Sequence, residues 1–230
     1  MKNRIIGMVP GTGKQSKGIA LQLGKAGYEV IIGSRSIEKA ETIANELNSI
    51  LGEKKFIGKQ NNDVVKNCNV IFLVVPPEFL GDTLSGIKSQ FQPGTILVDV
   101  VVPLKFESGL AFCDQEREQD GKKYRSISEY IQANIPENVT LVGGFKTISA
   151  NKLNKITESL NVDVFLTSDS SEAKEELKEI IRKIQGLRVL DAGPLVYSRT
   201  TEQMTALVIN INKLNKLKHG SYKIITANKD

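Results

Sequence analysis

Gly11, Thr12 and Gly13, followed by Lys14 and Gln15, are the residues in this sequence best placed to do chemistry. They come at once after the apolar run Ile5 to Val9, where glycines let a backbone turn sharply and approach a pyrophosphate without side-chain obstruction. A second group, Ser34 and Arg35 with Lys39 one helical turn beyond, stands at the end of the next apolar run. A site for an unmodified ribose usually carries a carboxylate there, to accept from the 2′-hydroxyl. A hydroxyl, a guanidinium and an ammonium suit a 2′-phosphate instead, so the spacing predicts a site for NADP(H). Ser16 takes the third glycine position of the usual phosphate-loop pattern, adding little bulk.

These residues need a strand, a turn and a helix to hold them. The pattern predicts a first strand through Val9, a helix from Lys17 to Lys25 whose N-terminal amides meet phosphate charge, and a second strand over Tyr28 to Ile32. A long helix over Ile37 to Leu51 ends at Gly52, a short strand lies at Phe56 and Ile57, and a brief helix covers Asp63 to Asn67. Val70 to Val75 and Thr95 to Val102 read as parallel strands buried on both faces. Their ends, at Pro76 and at Val102-Pro103, face the ligand cleft, because open α/β sheets bind at the carboxyl ends of their strands. Glu78 to Gln90 reads as a crossover helix with Phe79, Leu80, Leu84 and Ile87 inward, and Thr140 to Gly144 as a sixth strand leading to Ala150.

Between Lys105 and Asn138 the composition turns polar and suggests an exposed loop, with a functional lid the other reading, and a helix near Ser126 to Asn134. Val162 to Leu166 and Leu187 to Leu190 read as strands, Ser171 to Gln185 as an amphipathic helix, and about Ser198 to Leu217 as a final helix. That helix is apolar over more than one face and carries Arg199, Glu202 and Thr205 at spacings of three. Arg199 and Glu202 at that spacing also suit an ion pair along the helix. The expected architecture is α/β, a Rossmann-type doubly wound, mostly parallel sheet with a small C-terminal helical and αβ extension. Residues 1–150 form the NADP-binding part, and 151–230 a smaller segment packed on it.

Composition narrows the function further. With 230 residues and a net charge of +5, the chain suits anionic small ligands; its lysines are scattered, without an aromatic-interleaved basic stripe for nucleic acid. Two cysteines, Cys68 and Cys113, and a single histidine, His219, offer no metal-ligand spacing and no disulfide framework. No apolar run approaches the ~20 residues needed to span a bilayer, and the expected location is cytoplasmic.

Gly11-Thr12-Gly13 with Lys17-Gly18, Gly33-Ser34-Arg35 with Lys39, Val75-Pro76, Val102-Pro103, and Leu190-Asp191-Ala192-Gly193-Pro194-Leu195 with Ser198-Arg199 together resemble the NADPH-dependent reductases of coenzyme F420. The resemblance spans nearly the whole chain, and the Leu-Asp-Ala-Gly-Pro-Leu turn is its most specific part. It implies hydride transfer between NADP(H) and the deazaflavin F420, with no obligatory acid or base and therefore no catalytic residue to name. It places Thr12, Gly13, Lys14 and Gln15 along the pyrophosphate, Ser34, Arg35 and Lys39 at the 2′-phosphate, and Pro76, Val102 and Ala150 near the nicotinamide. Arg199, Thr205 and the Gly220 region are its candidates for the deazaflavin's neighbourhood; Lys146, Lys216, Lys218 and Lys223 suit that coenzyme's acidic tail, or, as the more ordinary reading of each, a solvated face. It also implies a homodimer joined through the final helix. One departure is Lys146 in Phe145-Lys146-Thr147-Ile148, where a histidine is expected in relatives. Two other readings stay open: an NADPH-dependent reductase of a flavin, ferric chelate or imine, and a non-catalytic NADP-binding sensor.

Overall fold

The computed structural model describes residues 4–226. Its centre is a sheet of six parallel strands: β1 (Ile6–Val9), β2 (Val30–Ser34), β3 (Phe56–Gln60), β4 (Val70–Leu73), β5 (Ile96–Asp99) and, after further strands described below, β10 (Thr140–Gly143). Their spatial order is β3-β2-β1-β4-β5-β10, so the order reverses at β1, where a doubly wound sheet opens its ligand crevice. The expected fold class is the observed one. Between the strands run α1 (Lys14–Lys25), α2 (Ile37–Leu51), α3 (Asn61–Asn67) and α4 (Leu80–Ile87).

The two faces of the sheet bury separate cores. Ile6, Met8 and Phe72 pack with Ile19 and Leu23 of α1 and Leu47 of α2; Ile71, Leu73 and Leu97 pack with Val64 of α3, Leu84 of α4 and Ile131 of α5 (Ile127–Asn134). Each fully buried aliphatic side chain adds roughly 1.5–3 kcal/mol. Ser36 caps α2 by accepting from the Lys39 amide at 3.2 Å, and Gly52 ends it in the left-handed region at φ 76°.

Three expectations change. The crossover helix after β4 is shorter: Pro76-Pro77 opens a single 3₁₀ turn over Pro77–Phe79 before α4 begins at Leu80, and Phe79 is turned outward rather than into the core. The polar stretch from Lys105 is not an irregular loop but two hairpins, β6 (Leu104–Glu107) with β7 (Leu110–Cys113) and β8 (Arg117–Gln119) with β9 (Lys122–Tyr124). Each turns on two residues of positive φ, Ser108-Gly109 and Asp120-Gly121, the geometry that matches the strand twist. The two helices of the C-terminal part end earlier than their apolar patterns, α7 (Ser171–Ile181) at Ile181 and α8 (Ser198–Leu214) at Leu214.

The C-terminal part adds α6 (Ala150–Leu153) and a separate two-stranded parallel sheet, β11 (Val162–Leu166) and β12 (Leu187–Asp191). Gly143 and Thr167 join it to β10 through reciprocal backbone bonds of 2.8 and 3.0 Å. Residues 217–226 then strap across it. Tyr222 hydroxyl donates to the Met204 carbonyl at 2.8 Å, and Asp163 accepts a two-point bond from Arg188 and a third from the Ile224 amide.

Candidate active site

The turn after β1 is built on small residues. Gly11 donates its amide to Gly33 O at 2.7 Å, and a Cβ on Gly11 would lie 2.6 Å from Ile32 Cγ2, so only glycine permits this approach of two strands. Ser16 is fully buried and donates to Pro10 O at 2.7 Å, which fastens the turn to the helix. The close-packing role falls to Gly18, where a Cβ would meet Leu153 Cβ at 2.6 Å, so α6 lies directly on α1.

Two cavities flank this turn. The first, of about 680 Å³, is lined by Thr12, Gly13, Ser34, Arg35, Lys39 and Pro76, with Gln60, Asn61 and the outward-turned Phe79. Among the described residues neither Arg35 nor Lys39 has a carboxylate partner. Asn61 Oδ1 is buried there without a hydrogen-bond partner, an acceptor waiting for a donor. Two cations without ion-pair partners and a hydroxyl beside a glycine turn fit a 2′-phosphorylated dinucleotide, with Asp82 the one anionic side chain in the same lining.

The second cavity, of about 520 Å³, is more apolar and lies beyond the carboxyl ends of β5 and β10. Val100, Val102, Leu104, Ala150, Thr205 and Val208 line it, and Leu217 to Gly220 close one side. Gln15 belongs to this wall rather than to the first cavity and donates to Ile148 O at 3.1 Å. Two more α1 contacts hold the same segment: Gln22 Nε2 donates to Leu153 O at 2.7 Å, and Lys14 O accepts from Asn154 Nδ2 at 2.9 Å. Phe145, at φ 58° and almost fully buried edge-on to Phe72 at 5.6 Å, forces the sharp bend that begins this wall.

Thus the candidates divide between two neighbouring cavities: Thr12, Gly13, Ser34, Arg35, Lys39 and Pro76 on one, Gln15, Val102, Ala150, Thr205 and Gly220 on the other. Gly11 and Lys14 shape the turn without lining either, and Arg199 projects into solvent from α8, away from both. Glu202 does not pair with Arg199 along the helix; it is fully buried and faces Lys146. Lys146 is part of the second cavity's lining, but its ammonium is buried on Asp99 and Val101 O, which takes it from the lysines available to an acidic tail. The sequence pattern assigned no site role to Asn61, to Phe79, expected in the core, or to His219, whose Nδ1 lies 3.4 Å from Ser149 Oγ at the second cavity. Burial pushes the Cys113 thiol up to about 11, with Glu202 adding to the shift, so the thiol near this wall is no nucleophile at neutral pH.

The family model of coenzyme F420-dependent NADP oxidoreductases matches residues 5–103. An F420-dependent NADP reductase of Methanothermobacter marburgensis is 31% identical over 221 residues, covering 95% of this chain and 97% of that one. The chain belongs to the F420-dependent NADP reductase family. Its fold matches the solved structure of a proposed F420-dependent NADP-reductase from Arthrobacter sp. FB24, with a TM-score of 0.78, 21% identity and coverage of 97% and 99%. The likeness reaches more distant proteins. Metalloreductase STEAP3 of Rattus norvegicus is 28% identical over 192 residues, 84% of this chain but only 34% of that protein. No helix among the described residues is long and apolar enough to cross a membrane.

Proposed function

We propose that this member of the family transfers a hydride between NADP(H) and coenzyme F420. The observation that carries the reading is the pairing of two cavities, one with cations that lack ion-pair partners, the other of about 520 Å³ with Val100, Val102, Leu104 and Val208 forming an apolar wall. Near-complete alignment with an F420-dependent relative supports the choice of acceptor.

In this reading the chain's work is placement. Thr12 and Gly13 follow the pyrophosphate, with Gly11 and Lys14 shaping the turn; Ser34, Arg35 and Lys39 take the 2′-phosphate; Pro76 packs near the nicotinamide. Gln15, Val102, Ala150, Thr205 and Gly220 form the acceptor's enclosure. Hydride chemistry is supplied by the two coenzymes once their rings stack at roughly 3 to 3.5 Å. The apolar wall of Val100, Val102 and Val208 excludes water from that contact. Residues 1–150 serve as the nucleotide-binding part and 151–230 complete the acceptor enclosure. A homodimer joined through α8 belongs to the same proposal.

Anaerobic stopped-flow absorbance with NADPH and oxidised F420 tests it. Loss of the nicotinamide band together with F420 bleaching is the expected result. NADPH binding without bleaching, followed by turnover with free flavin or a ferric chelate, would replace F420 with that acceptor.

A further inference from the structure

In and behind the wall of the second cavity lie three ionisable side chains that hydride transfer does not itself use: Lys146, which belongs to the lining, and Asp99 and Glu202 behind it. Lys146 Nζ donates to Asp99 Oδ2 and to Val101 O, each at 2.6 Å, and stands 3.5 Å from Glu202 Oε1. The Lys146 side chain is 2% exposed and those of Asp99 and Glu202 are 0% exposed. One cation facing two carboxylates would leave an uncompensated negative charge in a wall closed to water, an arrangement proteins avoid by holding a proton.

The geometry distinguishes the two carboxyl groups. Asp99 collects three short bonds, from Lys146 at 2.6 Å, from Ser128 Oγ at 2.5 Å and from the Val101 amide at 2.8 Å, the pattern of an ionised carboxylate. Glu202 Oε2 accepts from Gln115 Nε2 at 2.9 Å and Ile127 N at 3.3 Å. Around Oε1 the neighbours stand back: Ser128 N at 3.4 Å, with Ser128 Oγ and Lys146 Nζ both at 3.5 Å. Ser128 Oγ, whose hydrogen goes to Asp99, still has a lone pair to accept a proton's bond from Oε1.

We propose that Glu202 is a neutral carboxylic acid at pH 7, a positioning residue that keeps the Lys146–Asp99 pair charge-balanced behind the acceptor cavity, and that its ionisation slows hydride delivery to the acceptor. The kinetic half rests on reading that cavity as the acceptor's. NADPH, oxidised acceptor and one solvent proton give NADP⁺ and the two-electron-reduced acceptor; the cluster is not consumed. Hydride arrival brings negative charge to the acceptor ring, so an extra anion behind the wall opposes it. Burial raises the Glu202 carboxyl, Lys146 opposes that rise, and Asp99 adds to it. The other groups facing Glu202 are neutral: Cys113 from β7, Gln115 beyond it, and Ser128 with backbone amides from α5.

Infrared difference spectroscopy of the full chain supplies a readout independent of any acceptor. At pH 7 the native protein should show a buried carboxylic C=O band that shifts in D₂O, fades on raising pH and is lost in Glu202→Gln. Absence of such a band in the native protein overturns the proposal, whatever the variant does. In the pH profile of anaerobic F420 reduction, native kcat should fall about tenfold through an alkaline limb that Glu202→Gln lacks, with KM for NADPH unchanged in both. An identical limb in both proteins overturns the kinetic half. A band present with no F420 turnover in either protein supports the protonation assignment and overturns the acceptor reading alone.

Discussion

Arg35 and Lys39 face the first cavity unpaired among the described residues, with Asp82 the one carboxylate in its lining, so their charge is open to a ligand. Substituting Arg35→Asp should weaken NADPH by about a hundredfold, by removing a charge-assisted bond and adding repulsion, while NADH binding holds or improves. Fluorescence titration of both nucleotides checks this; equal losses would show that Arg35 does not read the 2′-phosphate. This part of the site was legible because its members lie within a few residues of one strand end. Lys146 was noticed as a departure, but its meaning was not, since Asp99 lies 47 residues away and Glu202 arrives from α8. Side chains that meet only through tertiary packing leave no local spacing to read. Arg199 shows the converse: the motif around it was recognisable, but the helix turns its side chain to solvent.

Elements formed where periodicity and punctuation agreed. The expected α2 matches the observed Ile37–Leu51 because Ser36 caps one end and Gly52 the other. The two hairpins were missed because their polar composition masked the two-residue turns, Ser108-Gly109 and Asp120-Gly121, that specify them. On α8 the apolar excess resolves into two sides. Val208 and Ala206 are buried, whereas Leu207 and Leu214 are 53% and 68% exposed. If that outer stripe joins two subunits, Leu207→Asp should convert a dimer to a monomer in light scattering with little loss of monomer stability, as expected of a surface position. A native monomer, or a variant that stays dimeric, would place the contact elsewhere.

The strap over β11 carries its own pH dependence. The Arg188 hydrogen bond holds the Asp163 carboxyl below the usual range, against burial, with help from the Ile224 amide. A depressed carboxyl stabilises the folded form above its unfolded pKa, and that contribution is lost as pH falls through the folded value. The amides of residues 217–226 should therefore keep their exchange protection at neutral pH and lose it in acid. Arg188→Gln should move that loss to higher pH. Hydrogen exchange across the acid range reads it out, and release at the same pH in both proteins would exclude Asp163 as the clasp.

At the scale of the whole molecule, the parallel sheet was legible because its inner strands β1, β4 and β5 are apolar runs buried on both faces, whereas the edge strand β3 is half exposed. The small sheet of β11 and β12 was legible as strands but not as a separate sheet, because strand pairing is decided by packing rather than by pattern. The two cavities also differ in what must be present before they exist. The nucleotide cavity draws its lining from within the first ninety residues, whereas the acceptor cavity needs Gln15 and Gly220, about two hundred residues apart in sequence. On a ribosome these two halves would mature at different moments. A nascent chain carries every residue that lines the first cavity well before it carries the last wall of the second: until residues 217–220 emerge, the second cavity stands open on one side.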